Sequence, residues 1–261
     1  MIHGVGEFRT IKAKPLRIFI GFDSREPVGY HVAAHSILMR ASEPVSVTPL
    51  RMDTLREQGC YWRGRDEKAA TEFSLTRFLV PYLSGYDGWS IFMDSDMLVR
   101  ADLVGDLKPL LDPSCAVSVC QHDYTPKEST KMDGKAQHAY PRKNWSSFMV
   151  FHNAACRNLT PEYVNTATPA QLHRFQWVEA EYGKDRAIGS LPLAWNWLVG
   201  EYDKNPDAKI LHYTDGLPCF LDYQFCDHAD LWWKEYHAMI NPVSNGPFSR
   251  EAWMRHMESA A

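Results

Sequence analysis

Trp89-Ser90-Ile91-Phe92-Met93-Asp94-Ser95-Asp96 is the stretch that decides the fold. Trp89 to Met93 is a short apolar run, which reads as a buried strand. It passes without a break into two carboxylates. In open α/β sheets ligands gather outside the carboxyl ends of strands, and Asp94 and Asp96 stand at such an end. Side chains at i and i+2 of an extended segment lie on one side, so the two carboxylates are expected to converge on one point. Two carboxylates so close repel, and a hard divalent cation, Mg²⁺ or Mn²⁺, is the natural compensation.

Around this stretch the chain alternates strand and helix. Leu16 to Ile20 is strand-like, opened by Pro15 and ended by Gly21. A helix is expected from about Pro27 to Arg40, with Ser24 as N-cap and Pro27 in the first turn. Val45 to Thr48 alternates as a second strand. Thr71 to Leu83 carries Phe73, Leu75, Phe78, Leu79 and Leu83 and suits a helix, which Gly85 and Gly88 end. Further strands are expected at 116–120, 148–151 and 209–213. From Asp227 on, Trp232, Trp233, Tyr236 and Met239 recur at roughly helical spacing and read as a packing surface. The order argues for an α/β sandwich with a mostly parallel central sheet flanked by helices. Residues 1–14 read as a tail, 15–226 as one domain, and 227–261 as a C-terminal helical extension.

Composition narrows the functions. The chain has 261 residues, 45% hydrophobic and 23% charged, which is ample for a core and excludes disorder for most of its length. A net charge of −4 argues against nucleic acid as a partner, because a phosphate backbone needs a positive field. No long apolar run suggests a membrane span, and Met1 to Lys14 has no apolar signal core. The six cysteines are scattered without a CxxC pair, so reduced thiols in a cytoplasmic protein are expected.

Two more segments bear on chemistry. His212 ends the late strand and could complete a ligand set with the aspartates; a structural histidine is the alternative reading. Tyr213-Thr214-Asp215-Gly216 follows, and Gly216 lets backbone approach a phosphate closely. Residues 121–144 form a long polar stretch with Lys127, Lys131, Lys135, Arg142 and Lys143. It reads equally as a lid or as a surface insertion.

In this order, the segments over roughly residues 16–220 resemble the GT-A type glycosyltransferases. The likeness is to the retaining family that contains glycogenin and the bacterial lipopolysaccharide galactosyltransferases. Ile18 to Tyr30 is similar to the family's first strand and nucleotide turn. Thr76-Arg77-Phe78-Leu79-Val80-Pro81 resembles the helix whose Arg reaches the donor sugar. Ile91 to Val99 is similar to the metal motif, Trp145 to Asn153 to the strand that touches donor and acceptor, and His212 to Gly216 to the late ligand and phosphate turn.

The resemblance implies roles. Asp94, Asp96 and His212 would hold Mn²⁺ or Mg²⁺ against the diphosphate of a nucleotide-sugar, a UDP-sugar, with Ser95 and Gly216 also contacting the donor. Asp94 would lie near the ribose or sugar, and Arg77 would bond sugar hydroxyls. Phe22, Asp23 and Tyr30 would form the base pocket, and Gln176 would be the sugar-proximal group. Asp94, Arg77 and Gln176 are thus the expected catalytic residues of a hexosyltransferase. Its acceptor would be a glycan, a lipid-linked molecule or a protein, with peripheral membrane contact compatible.

Departures are visible too. Gly216-Leu217-Pro218-Cys219-Phe220 lacks the Lys that often follows the Gly, so a cation from 127–143 would have to serve. The family's Asn-Ser/Ala-Gly is altered at 144–148. No carboxylate outside the metal pair stands out as a base; Glu179 and Asp215 are candidates without support. Retention fits that absence, because the leaving group can take the acceptor proton. The competing readings are a sugar-phosphate nucleotidyltransferase, disfavoured by the single Gly and Arg in 21–25, a non-catalytic nucleotide-sugar module, and a metallohydrolase. His31 and His35 share a helix without a Glu between them, so helix packing is expected of both.

Overall fold

The computed structural model describes residues 14–64, 71–123, 142–178 and 187–241. A six-stranded sheet has the order β2-β1-β3-β6-β5-β7. It consists of β1 (Leu16–Gly21), β2 (Val45–Leu50), β3 (Trp89–Met93), β5 (Val117–Cys120), β6 (Phe148–His152) and β7 (Ile188–Leu191). The β2-β1, β1-β3 and β5-β7 pairs are parallel, and β6 alone runs against both neighbours. The central strands are mostly apolar because both faces are covered. Phe19, Phe92, Met149 and Phe151 pack into one layer, and Ile18, Ile20, Ile91, Met93 and Phe148 into the other. Each such side chain contributes about 1.5–3 kcal/mol by leaving water.

A second sheet is small, with the order β4-β9-β8: β4 (Met97–Val99), β9 (Ile210–His212) and β8 (Trp197–Leu198). The turn Asp94-Ser95-Asp96 carries the chain from one sheet to the other. The expected extended segment is therefore a turn, because β3 and β4 belong to different sheets.

Helix α1 (Pro27–Leu38) packs between this junction and the last helix. Its N-cap position is Glu26, whose side chain does not cap the helix, and not Ser24. The Ser24 hydroxyl instead donates to Glu72 Oε1 at 2.8 Å. Three short helices follow along the chain, α2 (Met52–Glu57), α3 (Val80–Leu83) and α4 (Pro161–Thr166). The expected helix over 71–83 is broken: Thr76–Leu79 is a 3-10 turn that leads into α3. Pro81 has no N–H to donate back to the Arg77 carbonyl, so regular helix starts only with Pro in its first turn.

Helix α5 (Pro169–His173) borders the site described below, and α6 (Ala229–Ile240) closes the chain's described part. α6 buries Trp232, whose ring stacks on Tyr236 at 5.6 Å, in a layer with Val32 and Leu211. Glu235 ties α6 to α1, accepting from Arg40 at 2.7 Å and lying 2.7 Å from His35 Nδ1. His35 thus packs between helices as expected, whereas His31 is exposed. Among the described residues no helix is long and apolar enough to cross a membrane.

Candidate active site

Pairing across both sheets assembles the site. In the β3-β6 pair Met93 faces Phe148, and the ladder continues as the Asp94 amide donates to the Ser147 carbonyl at 2.9 Å. In the small sheet Met97 lies opposite His212, and the Tyr213 amide donates to the Asp96 carbonyl at 2.9 Å. These registers bring one ligand atom each from Asp94, Asp96 and His212 within 4.8 Å of one another. His212 lies 118 residues beyond Asp94 in sequence, and strand pairing brings it to the aspartates.

The hydrogen-bond network sets the histidine's chemistry. Asn196 Nδ2 donates to Ser147 Oγ at 2.8 Å and to the Asn144 carbonyl at 3.4 Å. A carbonyl only accepts, which fixes the amide with its oxygen toward His212. Asn196 Oδ1 lies 2.9 Å from His212 Nδ1, so Nδ1 carries the proton and Nε2 presents its lone pair. Nε2 lies 3.2 Å from Asp96 Oδ1. An Nδ1-anchored imidazole beside two carboxylates is a donor set for a divalent cation. Asn196 is fully buried, and the sequence reading gave it no role.

Arg77 lies beneath this group. It is 5% exposed, with its guanidinium 4.7 Å from the Phe92 ring and 5.4 Å from that of Phe73. Nη1 contacts Asp94 Oδ1 at 2.9 Å and donates to the Ser146 carbonyl at 2.8 Å. Arg77 and the Asp94, Asp96 and His212 group are therefore one cluster.

Gly29 explains how α1 comes so near. A Cβ there would meet the Ser95 carbonyl oxygen at 2.9 Å. Ser95 is buried, and its hydroxyl has no hydrogen-bond partner among the described residues. Gly216 follows His212 on the same side, and a Cβ there would strike the Tyr223 ring at 2.3 Å.

Phe22 and Tyr30 meet edge to face with centroids 5.7 Å apart, and the Arg51 guanidinium sits 5.5 Å from the Phe22 centroid. Arg51 was missed because it follows β2, far from Phe22 in sequence. Asp23 is fully buried, with Oδ1 and Oδ2 accepting from Arg25 at 2.9 and 2.7 Å and Oδ2 also from the Glu72 amide at 3.2 Å. Burial alone would raise its carboxyl, but the Arg25 bonds and charge and the Glu72 amide outweigh that and hold it below the ordinary value. Its carboxylate organises the turn before α1.

On the far side, His122 Nδ1 lies 2.9 Å from the Tyr202 hydroxyl. Burial, reinforced by nearby His212, lowers the His122 pKa to about 3, and burial pushes Tyr202 up to about 12. Gln176 is exposed, and no hydrogen bond joins it to the Asp94 cluster among the described residues. Of the basic run, Lys127, Lys131 and Lys135 lie outside the described residues, as does Glu179. Lys143 is buried, flanked by left-handed Arg142 (φ 63°) and Asn144 (φ 61°).

Comparison with known proteins places the chain. It is 49% identical to Protein CDI of Arabidopsis thaliana over 229 residues, covering 85% of this chain and 86% of that protein. The chain belongs to the Protein CDI family. No protein-family model matches it. Among solved structures, this CDI-family chain is similar to the bifunctional glycosyltransferase WbbM in its apo form, with a TM-score of 0.55 and 16% identity. The match covers 96% of this chain and 53% of WbbM. The apo-form glycosyltransferase GlyE of Streptococcus pneumoniae TIGR4 also has a TM-score of 0.55, at 14% identity, covering 88% of this chain and 63% of GlyE. The galactosyltransferase LgtC, in complex with donor and acceptor sugar analogues, has a TM-score of 0.50 at 11% identity, covering 85% of this chain and 96% of LgtC. The chain thus spans about half to two thirds of WbbM and GlyE. The CDI-family chain has the GT-A fold, an α/β architecture with a mostly parallel central sheet.

Proposed function

We propose that the chain is a divalent-metal-dependent glycosyltransferase that moves a hexose from a UDP-sugar to a hydroxyl acceptor, with retention. The observation that carries the reading is the convergence of Asp94, Asp96 and tautomer-fixed His212 within 4.8 Å on a GT-A fold. Two carboxylates and an imidazole suit Mn²⁺ or Mg²⁺. When bound there, the ion supplies Lewis-acid stabilisation to the diphosphate leaving group.

The chain's own residues do the rest. Arg77 holds a buried positive charge beside Asp94, where charge develops on the leaving diphosphate. Its hydrophobic surroundings strengthen that field, since little water screens it. Phe22 and Tyr30 offer ring faces to the base, with Asp23 holding their turn. Ser95 and Gly216 line the diphosphate, Lys143 adds the second cation, and Gln176 stands on the sugar side. The departing diphosphate oxygen takes the acceptor proton, so no further carboxylate base is required. We propose residues 15–226 as the catalytic unit and 227–261 as an extension of it. The setting we propose is cytoplasmic, with a glycan, lipid-linked or protein acceptor.

A donor screen tests this. Purified protein with Mn²⁺ should release UDP slowly from one or more UDP-sugars without acceptor, and excess chelator should abolish the release. Asp96→Ala should lose most of it, and Asp96→Asn less. Turnover undiminished in chelator contradicts the proposal.

A further inference from the structure

Ser146 uses both of its polar groups within the site. Its carbonyl accepts from Arg77 Nη1 at 2.8 Å, the nitrogen that also contacts Asp94. Its hydroxyl lies 2.8 Å from Nδ1 of His173. His173 is the last residue of α5, a helix locked at its start by a reciprocal Thr168/Gln171 capping box. Its ring meets Phe78 edge-on, with centroids 5.2 Å apart. A row of groups thus runs from Asp96 and His212 through Asp94, Arg77 and Ser146 to His173.

The end of the row differs from its start. Burial, together with the Arg77 charge, pushes the His173 pKa down to about 3, so the ring is neutral at ordinary pH. The residue as a whole is nevertheless part-exposed. Its Nε2 makes no hydrogen bond among the described residues. The ring is crowded and desolvated, while the residue as a whole is not fully buried. A neutral imidazole with one nitrogen anchored presents the other to a single partner. That partner is a neutral hydroxyl more naturally than a phosphate, for which a cation would serve. A sugar nucleotide has the same polarity as the row: charged at the diphosphate and neutral along the sugar.

We infer that His173 reads a hydroxyl of the transferred sugar through Nε2, with Ser146 holding the ring, and so helps determine which sugar is used. This rests on the donor reading above. Calorimetric titrations with Mn²⁺ separate the two claims. The probes are UDP, UDP-glucose, UDP-galactose and UDP-xylose, followed by deoxy analogues of whichever sugar binds best. His173→Ala should leave UDP affinity within about twofold and weaken the best intact donor by about threefold to tenfold, the worth of one neutral hydrogen bond. His173→Gln, which keeps a hydrogen-bonding end, should recover part of the loss. One deoxy donor should weaken wild-type binding by the same factor and lose nothing more in His173→Ala.

Equal weakening of UDP and intact donor would mark His173 as merely structural and overturn the inference. So would unchanged donor affinity, or additive losses with every deoxy analogue. If His173→Ala does not fold, His173→Gln carries the same comparison, with the deoxy series as its control. Wild-type protein that binds neither UDP nor any of these donors would end the glycosyltransferase reading itself. That outcome is separate from a wild type that binds UDP and sugar donors alike with no contribution from His173.

Discussion

Asn196 shows how much chemistry rests on a residue that touches no substrate. It bonds His212, Ser147 and the Asn144 carbonyl at once, and thereby decides which imidazole nitrogen is free. Asn196→Ala should lower Mn²⁺ affinity by about 10- to 100-fold, the range for lost partners of metal-ligating histidines. Stability should fall by about 1–3 kcal/mol, because buried partners lose a bond. Metal titration and urea denaturation check both numbers, and full metal affinity in the variant would show that the amide is irrelevant to the tautomer. At this scale the sequence pointed at Asp94 and Asp96 through apolar context and spacing, and at Arg77 only through family resemblance. It could not show the Asn196 network or the His173 bond, because those hydrogen bonds span 16 to 52 residues and depend on which strands pair: Asn196 reaches Asn144 across 52 residues. Asp23 illustrates the opposite limit, since a carboxylate expected near the base spends its oxygens on Arg25 and Glu72.

The elements were legible where burial leaves a continuous apolar run. Trp89–Met93 is a strand with the expected bounds, and β1, β2, β5, β6 and β9 lie within a residue or two of expectation. Two-residue and three-residue strands such as β8 and β4 are too short to show a period. Without β4 the metal motif reads as a simple strand end, when it is a hinge between two sheets. The 71–83 segment has helical apolar spacing, yet Pro81 and the inward pull of Arg77 break it into a 3-10 turn and a short helix. Helix α1 matters most to the site, because Gly29 lets it press on the Ser95 carbonyl. Gly29→Ala places a methyl 2.9 Å from that oxygen and 3.0 Å from Leu217. Forcing α1 outward should cost about 1–3 kcal/mol in urea denaturation and should weaken metal binding as the turn shifts. A variant as stable as wild type would show that this contact is not tight.

For the whole molecule, the two sheets and the helices around them place polar groups at one junction and pay there with desolvated neutral histidines. His122 and His173 each have folded pKa values of about 3, against 6.5 when unfolded. The unfolded chain therefore binds more protons below pH 6.5. Their contribution is fully present above 6.5 and is lost as pH falls from 6.5 toward 3. Each adds a slope approaching about 1.4 kcal/mol per pH unit within that window. In chelator, unfolding free energy should drop steeply between pH 6.5 and 4, and the double variant His122→Gln/His173→Gln should flatten the drop. An unaltered slope would mean that other groups carry the acid sensitivity.

The central claim is that Asp94, Asp96 and His212 hold a metal ion on which donor binding depends. Anomalous diffraction at the manganese edge, from crystals grown with Mn²⁺ and UDP, tests it most directly. The account predicts one strong peak within coordination distance of one oxygen from each aspartate and of His212 Nε2, with the UDP diphosphate on its open side. A manganese peak elsewhere, or UDP bound with no peak between these three residues, would contradict it.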